Sequence, residues 1–213
     1  VILHFGAVDQ SCTVYINGLR AYRHNGGYLP FEFDATGFLS KDVNELSLSV
    51  RDVSDTSYHS RGKQKLKRGG IWYTPQSGIW QTVWAECIPK DCVRSLHITP
   101  DFDHACVNVR ADVVGESKAY ALFDGQQYPL PASIPVPGFE SWSPENPKLY
   151  DFSVICGADR VESYFAMRKF SVEADENGVK RLFLNGKPYF HNGLLDQGYW
   201  SDGMYTAPSD EAL

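Results

Sequence analysis

Trp72 and Tyr73 stand side by side between Gly69-Gly70 and Pro75, and Trp80 and Trp84 follow in the same run, which ends at Glu86. Aromatic rings held in loops can stack on a ligand such as a sugar, while rings on strands fill a core and need one partner for the indole N–H. The pattern separates the two uses. In Ile79, Gln81 and Val83 against Trp80, Thr82 and Trp84, both parities carry apolar side chains, as in a strand covered on both faces. Trp80 and Trp84 are therefore read as core. For Trp72 and Tyr73, core packing and ligand stacking stay evenly weighted.

Other chemistries find less support. The adjoining run Arg61-Gly62-Lys63-Gln64-Lys65-Leu66-Lys67-Arg68 sets five cations in eight residues beside those rings, the arrangement of a single-strand nucleic-acid binder. The whole chain carries a net charge of −6, so a solvated loop is the expectation and no nucleic acid is expected as partner. The glycine pairs precede no helix in the way a phosphate loop requires, and Gly-x-Ser-x-Gly is absent. His4, His24, His59, His97, His104 and His191 are scattered and form no zinc set with the cysteines, so no metal and no cofactor are expected. Cys12, Cys87, Cys92, Cys106 and Cys156 are odd in number and irregular in spacing, which favours reduced thiols. A bridge from Cys106 to Cys156 around Trp142 fails because Cys106 shares parity with His104, Asn108 and Arg110, the polar face. Glycoside hydrolysis needs two carboxylates across one bond. With 26 acidic residues, none in a marked context, sequence selects no catalytic pair.

The elements that must position the aromatic run are strands. Cys12, Val14 and Ile16 alternate into the turn Asn17-Gly18, and Leu46, Leu48 and Val50 follow Asn44-Glu45, with one more short strand within Gly26–Asp34. After Ile88-Pro89-Lys90 a second family begins with Leu96 and Ile98, then Val107, Val109 and Ala111, then Tyr120 and Leu122, and later Phe152, Val154 and Cys156. Strands at that spacing predict a β-sandwich of about 100 residues, with Trp142 as a plug of its core. In the tail, Asn185-Gly186 marks a hairpin, and Ser209 before Asp210 and Glu211 reads as a helix N-terminus. The expected fold is all-β, divided as 1–90, 91–173 and 174–213.

No apolar run approaches the roughly 18 to 20 residues a membrane helix needs, and Val1-Ile2-Leu3-His4-Phe5 is not a signal peptide with a basic leader. Neither a membrane nor an anionic membrane surface is expected as partner. The chain opens inside an apolar run without Met, and is read as cut from something longer. Cytoplasmic placement is the expectation, any original targeting segment lying before Val1.

Gly69–Glu86, with Asn17-Gly18, Gly26–Asp34 and Asn44-Glu45-Leu46, resembles the N-terminal sugar-binding domain of glycoside hydrolase family 2, which contains β-galactosidases, β-glucuronidases and β-mannosidases. Trp142–Tyr150 resembles the late part of that family's immunoglobulin-like sandwich, and Met167-Arg168-Lys169-Phe170 its last strand. Leu184–Pro188 and Leu195–Trp200 resemble the start of its TIM barrel. The resemblance implies a partial jelly-roll sandwich (1–90), an immunoglobulin-like sandwich (91–173) and a barrel start (174–213).

It also implies that the catalytic glutamates lie beyond position 213, since a barrel takes eight strands and about 250 residues. Asn44-Glu45, in a surface turn, is a decoy for the family's acid/base pair. The parent would be a retaining β-glycosidase of β-galactosidase type acting on a carbohydrate, with the barrel as intramolecular partner and a homo-oligomer possible. The implied substrate contacts are Arg61, Gln64, Trp72 and Tyr73 from the first sandwich and Asp196, Gln197, Tyr199 and Trp200 after barrel strand one. Some relatives place an acidic sugar contact just before the Ile-Trp position, where this chain has Gly70. Two other readings stand beside this one: a stand-alone carbohydrate-binding or adhesion module without enzymatic activity, and a structural interaction protein whose tail packs into a partner.

Overall fold

A computed structural model describes residues 1–213. It is nearly all-β, the only helical turns being the 3-10 turns Thr36–Phe38 and Asp210–Ala212. Two compact units form, Val1–Cys87 together with Leu195–Leu213, and Ile88–Leu194. The tail expected as one segment, 174–213, is thus divided: its first part belongs to the second unit and its last nineteen or so residues to the first. Ser209 precedes a 3-10 turn rather than an α-helix and makes no side-chain capping bond.

In the first unit the strands are β1 (Ile2–Phe5), β2 (Val8–Asp9), β3 (Ser11–Ile16), β4 (Leu19–Asn25), β5 (Phe31–Asp34), β6 (Leu46–Arg51), β7 (Gly78–Ile79) and β8 (Val83–Glu86). They pair as the sheets β5-β1-β8, β4-β3-β6 and β2-β7. The period of two sets the core: Leu3 and Phe5 from β1 meet Cys12, Val14 and Ile16 from β3, and Phe5 stacks on Phe31 with ring centroids 4.7 Å apart. Asn17 (φ 52°) and Gly18 (φ 76°) turn β3 into β4 with both central residues left-handed, which is why an Asn-Gly pair stands there.

The aromatic run is not one strand covered on both faces. β7 stops at Ile79 and β8 starts at Val83, and register decides the rest: Val83 lies opposite Phe5 and enters the core, so Trp84, opposite His4, points outward. Trp84 is 45% exposed, with its ring 4.7 Å from that of His4, whose two nitrogens meet Glu32 and Glu86. Trp80 is half-buried outside the core cluster and donates its indole N–H to Gly27 O at 2.7 Å. Truncating an aromatic in a closed core costs about 3 to 5 kcal/mol. Trp84→Ala is expected to cost about 1 kcal/mol in a urea titration, the worth of the His4 stack.

The second unit holds β9 (Cys92–Asp101), β10 (Cys106–Val114), β11 (Ala119–Phe123), β12 (Gln126–Pro129), β13 (Ala132–Pro135), β14 (Tyr150–Cys156) and β15 (Asp159–Phe165). Sheet β13-β10-β9 faces sheet β12-β11-β14-β15 across a core of Val107, Val109, Ala121, Ile134, Phe152, Val154 and Met167. A smaller sheet follows, made of β16 (Phe170–Ala174), β17 (Lys180–Leu184) and β18 (Lys187–Pro188), the last two joined at Asn185-Gly186. All five cysteines are free. Cys156 is in the core, whereas Cys106 shares the outer face with Ser133, whose hydroxyl approaches its sulfur at 3.2 Å, so the two cannot bridge. Trp142, expected as a core plug, is half-buried outside the cluster, under the Arg168 guanidinium at 4.7 Å. A cation over a ring face suits a surface tryptophan.

Candidate functional site

The residues that could meet a ligand gather in the first unit around the chain between β6 and β7. Tyr73 N donates to Lys63 O at 2.8 Å, Lys65 N to Tyr73 O at 3.1 Å, and Trp72 and Gly69 exchange two backbone bonds of 3.1 Å. These close a narrow two-stranded loop whose tip needs the left-handed Gly70 (φ 58°). Tyr73 is thereby held rigidly beside Lys63.

Gln64, 3% exposed, is the hub beneath that loop. Its carbonyl oxygen accepts from Gln76 N at 2.7 Å, with the Tyr199 hydroxyl oxygen 3.4 Å away. Its amide nitrogen shares its two hydrogens among Arg61 O at 3.0 Å, Tyr28 OH at 3.2 Å and Asp9 Oδ2 at 3.4 Å. One side chain thus joins β2, the 61–64 segment, the 74–76 segment and the tail. A buried amide can be tolerated only when both ends are satisfied in this way.

The tail is fastened at three further points. Gln76 donates to Trp200 O at 2.7 Å and accepts from Met204 N at 2.9 Å, in the manner of a strand neighbour. Trp200 and Met204 exchange backbone bonds of 2.7 and 3.1 Å around a tight loop, with Met204 fully buried. The Tyr199 hydroxyl donates to Thr74 O, and its ring stacks on Tyr73 at 4.4 Å and 8°. Burial pushes the Tyr199 phenol up to about 12, keeping it a donor.

A cavity of about 700 Å³ opens over this construction, lined by Gly62, Lys63, Tyr73, Asp196, Gln197, Gly198, Trp200, Tyr205 and Leu213. Lys63 Nζ donates to Gln197 Oε1 at 2.9 Å, and Asp196 Oδ1 accepts from Gly198 N at 2.7 Å. Of the eight residues singled out from sequence, Tyr73, Asp196, Gln197 and Trp200 line this cavity. Gln64 and Tyr199 lie behind it as supports, Trp72 sits under Lys65 Nζ at 4.1 Å, and Arg61 Nη1 is turned to Ser57 O at 3.0 Å. Lys63 and Tyr205 line it without having been foreseen. Lys63 was visible in the cation run, but nothing nearby marks Tyr205, which stands edge-on to Trp80 at 5.7 Å.

Two buried carboxylates lie below. Asp9 is 2% exposed and touches Gln64 and the backbone of Gly27, where a Cβ would fall 2.2 Å from Asp9 Oδ1. Its burial, and then the charge of Asp52, push its acid up to about 6. Asp52 accepts from Ser54 N and Ser77 Oγ, each at 2.7 Å, with His59 Nε2 4.0 Å away. Neither acid lines the cavity. The cavity wall itself holds one carboxylate, Asp196, against the two that glycosidic cleavage requires. No group of three or more His, Cys, Asp or Glu residues could hold a metal ion. Aromatic rings, an amide, an ammonium and one acid make a binding surface for a polar, ring-faced ligand.

No family model matches the chain. It is 26% identical to the β-galactosidase of Photobacterium profundum, an alignment covering 89% of this chain and 20% of that protein. It is 24% identical to the β-galactosidase of Thermoanaerobacter pseudethanolicus, covering 91% of this chain and 29% of that one. A putative β-glucuronidase of Formosa agariphila is 34% identical over 97 positions, which is 46% of this chain and 11% of that protein. Among solved structures, a β-glucuronidase from Ruminococcus gnavus in complex with D-glucuronic acid superposes with a TM-score of 0.71 at 21% identity, covering 90% of this chain and 36% of that one. The chain thus spans less than a third of the length of the curated β-galactosidases it matches.

Proposed function

We propose, from the premise that this chain belongs with the β-galactosidase and β-glucuronidase homologues of glycoside hydrolase family 2 over about nine tenths of its length, that it serves as the non-catalytic N-terminal part of a retaining β-glycosidase. The observation that carries the proposal is the return of Leu195–Leu213 onto the first sandwich, which sets Asp196, Gln197 and Trp200 on the same cavity wall as Tyr73. In this reading the rings of Tyr73, Trp200 and Tyr205 meet the apolar faces of a sugar, and Gln197, Asp196 and Lys63 meet its hydroxyls. Gln64 and Tyr199 hold those groups in place, while Trp72 and Arg61 stiffen the loop behind them.

The single carboxylate on the cavity wall supports a binding role here, with the acid/base and nucleophile glutamates supplied by a barrel that follows. A β-galactoside is the proposed substrate. Two observations test the proposal. The reading frame beyond Leu213 is expected to encode a barrel with an Asn-Glu pair and a second glutamate, and a stop codon in its place overturns it. The 213-residue chain is expected to leave nitrophenyl β-D-galactoside intact; hydrolysis by the chain alone would contradict the non-catalytic role.

A further inference from the structure

The cation run beside the cavity is not neutralised. Arg160, Lys169 and Arg181 in the second unit each lie 2.5 Å from a carboxylate oxygen, but none of the five cations between positions 61 and 68 forms an ion pair. Neutral groups hold four of them instead. Lys63 donates to the Gln197 amide at 2.9 Å, Lys65 sits 4.1 Å over the Trp72 ring, Arg68 donates to Thr74 Oγ1 at 3.3 Å, and Arg61 donates to Ser57 O at 3.0 Å. The Nε of Arg61 is buried with no acceptor. An amide, an indole face or a hydroxyl fixes where a cation stands without cancelling its charge. In a chain of net charge −6, five cations in eight residues, none of them ion-paired and four held in place by neutral groups, form a local field of the opposite sign.

That field adjoins the aromatic cavity, with Lys63 on its wall. The one acid on the same wall, Asp196, accepts from the Gly198 amide and meets no cation. We propose that the 61–68 loop recognises acidic substituents, carboxylate or sulfate, on a carbohydrate chain whose sugar ring occupies the cavity. The proposal rests on the sugar-facing role of the cavity argued above. It makes the preferred ligand an anionic oligosaccharide, with Lys63 nearest the bound ring and Lys65, Lys67 and Arg68 available to acid groups on the next sugars along.

Calorimetry on the 213-residue chain with four probes tests this: a neutral galacto-oligosaccharide, a sulfated galacto-oligosaccharide, a glucuronic-acid-bearing oligosaccharide of the same length, and hexaglutamate. At least one acidic sugar is expected to bind about 10-fold more tightly than the neutral one at roughly 50 mM salt, and the ratio to collapse towards one at about 500 mM. Which acidic sugar leads distinguishes sulfate from carboxylate. In Lys67→Gln/Arg68→Gln the ratio of acidic to neutral affinity is expected to fall several-fold. Equal binding of neutral and acidic sugars, abolished by Trp200→Ala, overturns the acidic preference and leaves the sugar-binding reading standing. Binding of neither kind of sugar overturns both. Hexaglutamate binding as tightly as the acidic sugars also overturns the proposal, in favour of an acidic peptide.

Discussion

Gln64→Ala is expected to cost about 4 kcal/mol, because it strips partners from several buried groups at once. Asp9, Tyr28 OH, Arg61 O and Gln76 N all meet this one side chain. A buried donor or acceptor left unsatisfied costs about 1 to 3 kcal/mol, and water can reach only some of these four. The loss is local to the first unit and its tail. Amide exchange at Gln76 and Met204, the two backbone N–H groups tied through the Gln64–Gln76 chain, is therefore expected to accelerate about 100-fold or more. Gln64→Glu keeps the acceptor and removes the donors to Tyr28 and Asp9, while adding a charge beside a buried acid. It is expected to be tolerated better at pH 5 than at pH 8. A Gln64→Ala variant within about 1 kcal/mol of the parent would mean that the tail is held by other means.

Asp9→Asn is expected to stabilise the chain at pH 7.5 by about 3 kcal/mol, since raising an acid from 3.8 to about 6 penalises its ionised form by that much. The sign follows from proton binding. Between pH 3.8 and 6 the folded chain holds the Asp9 proton more tightly than the unfolded chain, so stability falls as pH rises through this window. Below it both states are protonated and Asp9 costs nothing. Above it the full penalty stands. Acids such as Asp101, Asp112, Glu162 and Asp175, held below the usual carboxylate range by hydroxyl, histidine or arginine partners, give the opposite slope in more acid solution. The clean measurement is therefore the difference between parent and variant in urea titrations from pH 3.5 to 8. It should open between pH 4 and 6 and stay flat above. A difference that does not vary with pH would show that Asp9 has an ordinary acidity.

Local features of the sequence carried much of the fold. The alternation of Cys12, Val14 and Ile16, or of Val107 and Val109, fixes which face is buried, and Asn17-Gly18 and Asn185-Gly186 are both left-handed turns joining paired strands. Long-range pairing was not legible. β8 joins β1 across some eighty residues, and only that register, Phe5 opposite Val83, decides that Trp84 faces outward. A run with apolar residues at both parities offers no such choice by itself.

The site was legible to a similar depth. The aromatic and amide residues of the 61–80 and 195–200 segments stood out by type and resemblance, and three of them, Tyr73, Gln197 and Trp200, share one cavity with Asp196. Gln64 was singled out as a contact but is a buried support, because a glutamine's role depends on which chains converge on it. Asp9 gave no signal at all. An isolated acid between Val8 and Gln10 becomes notable only when Gly27 closes over it and Asp52 lies near.

The claim that the tail and the 61–80 segment build one sugar-facing surface is tested most directly by chemical-shift mapping of the 213-residue chain with methyl β-D-galactoside. Shifts are predicted at Tyr73, Gln197 and the Trp200 indole, saturating together at a Kd on the order of a few millimolar. Shifts confined to the second unit's cavity at Tyr128 and Tyr150, or none up to about 100 mM ligand, would contradict the account.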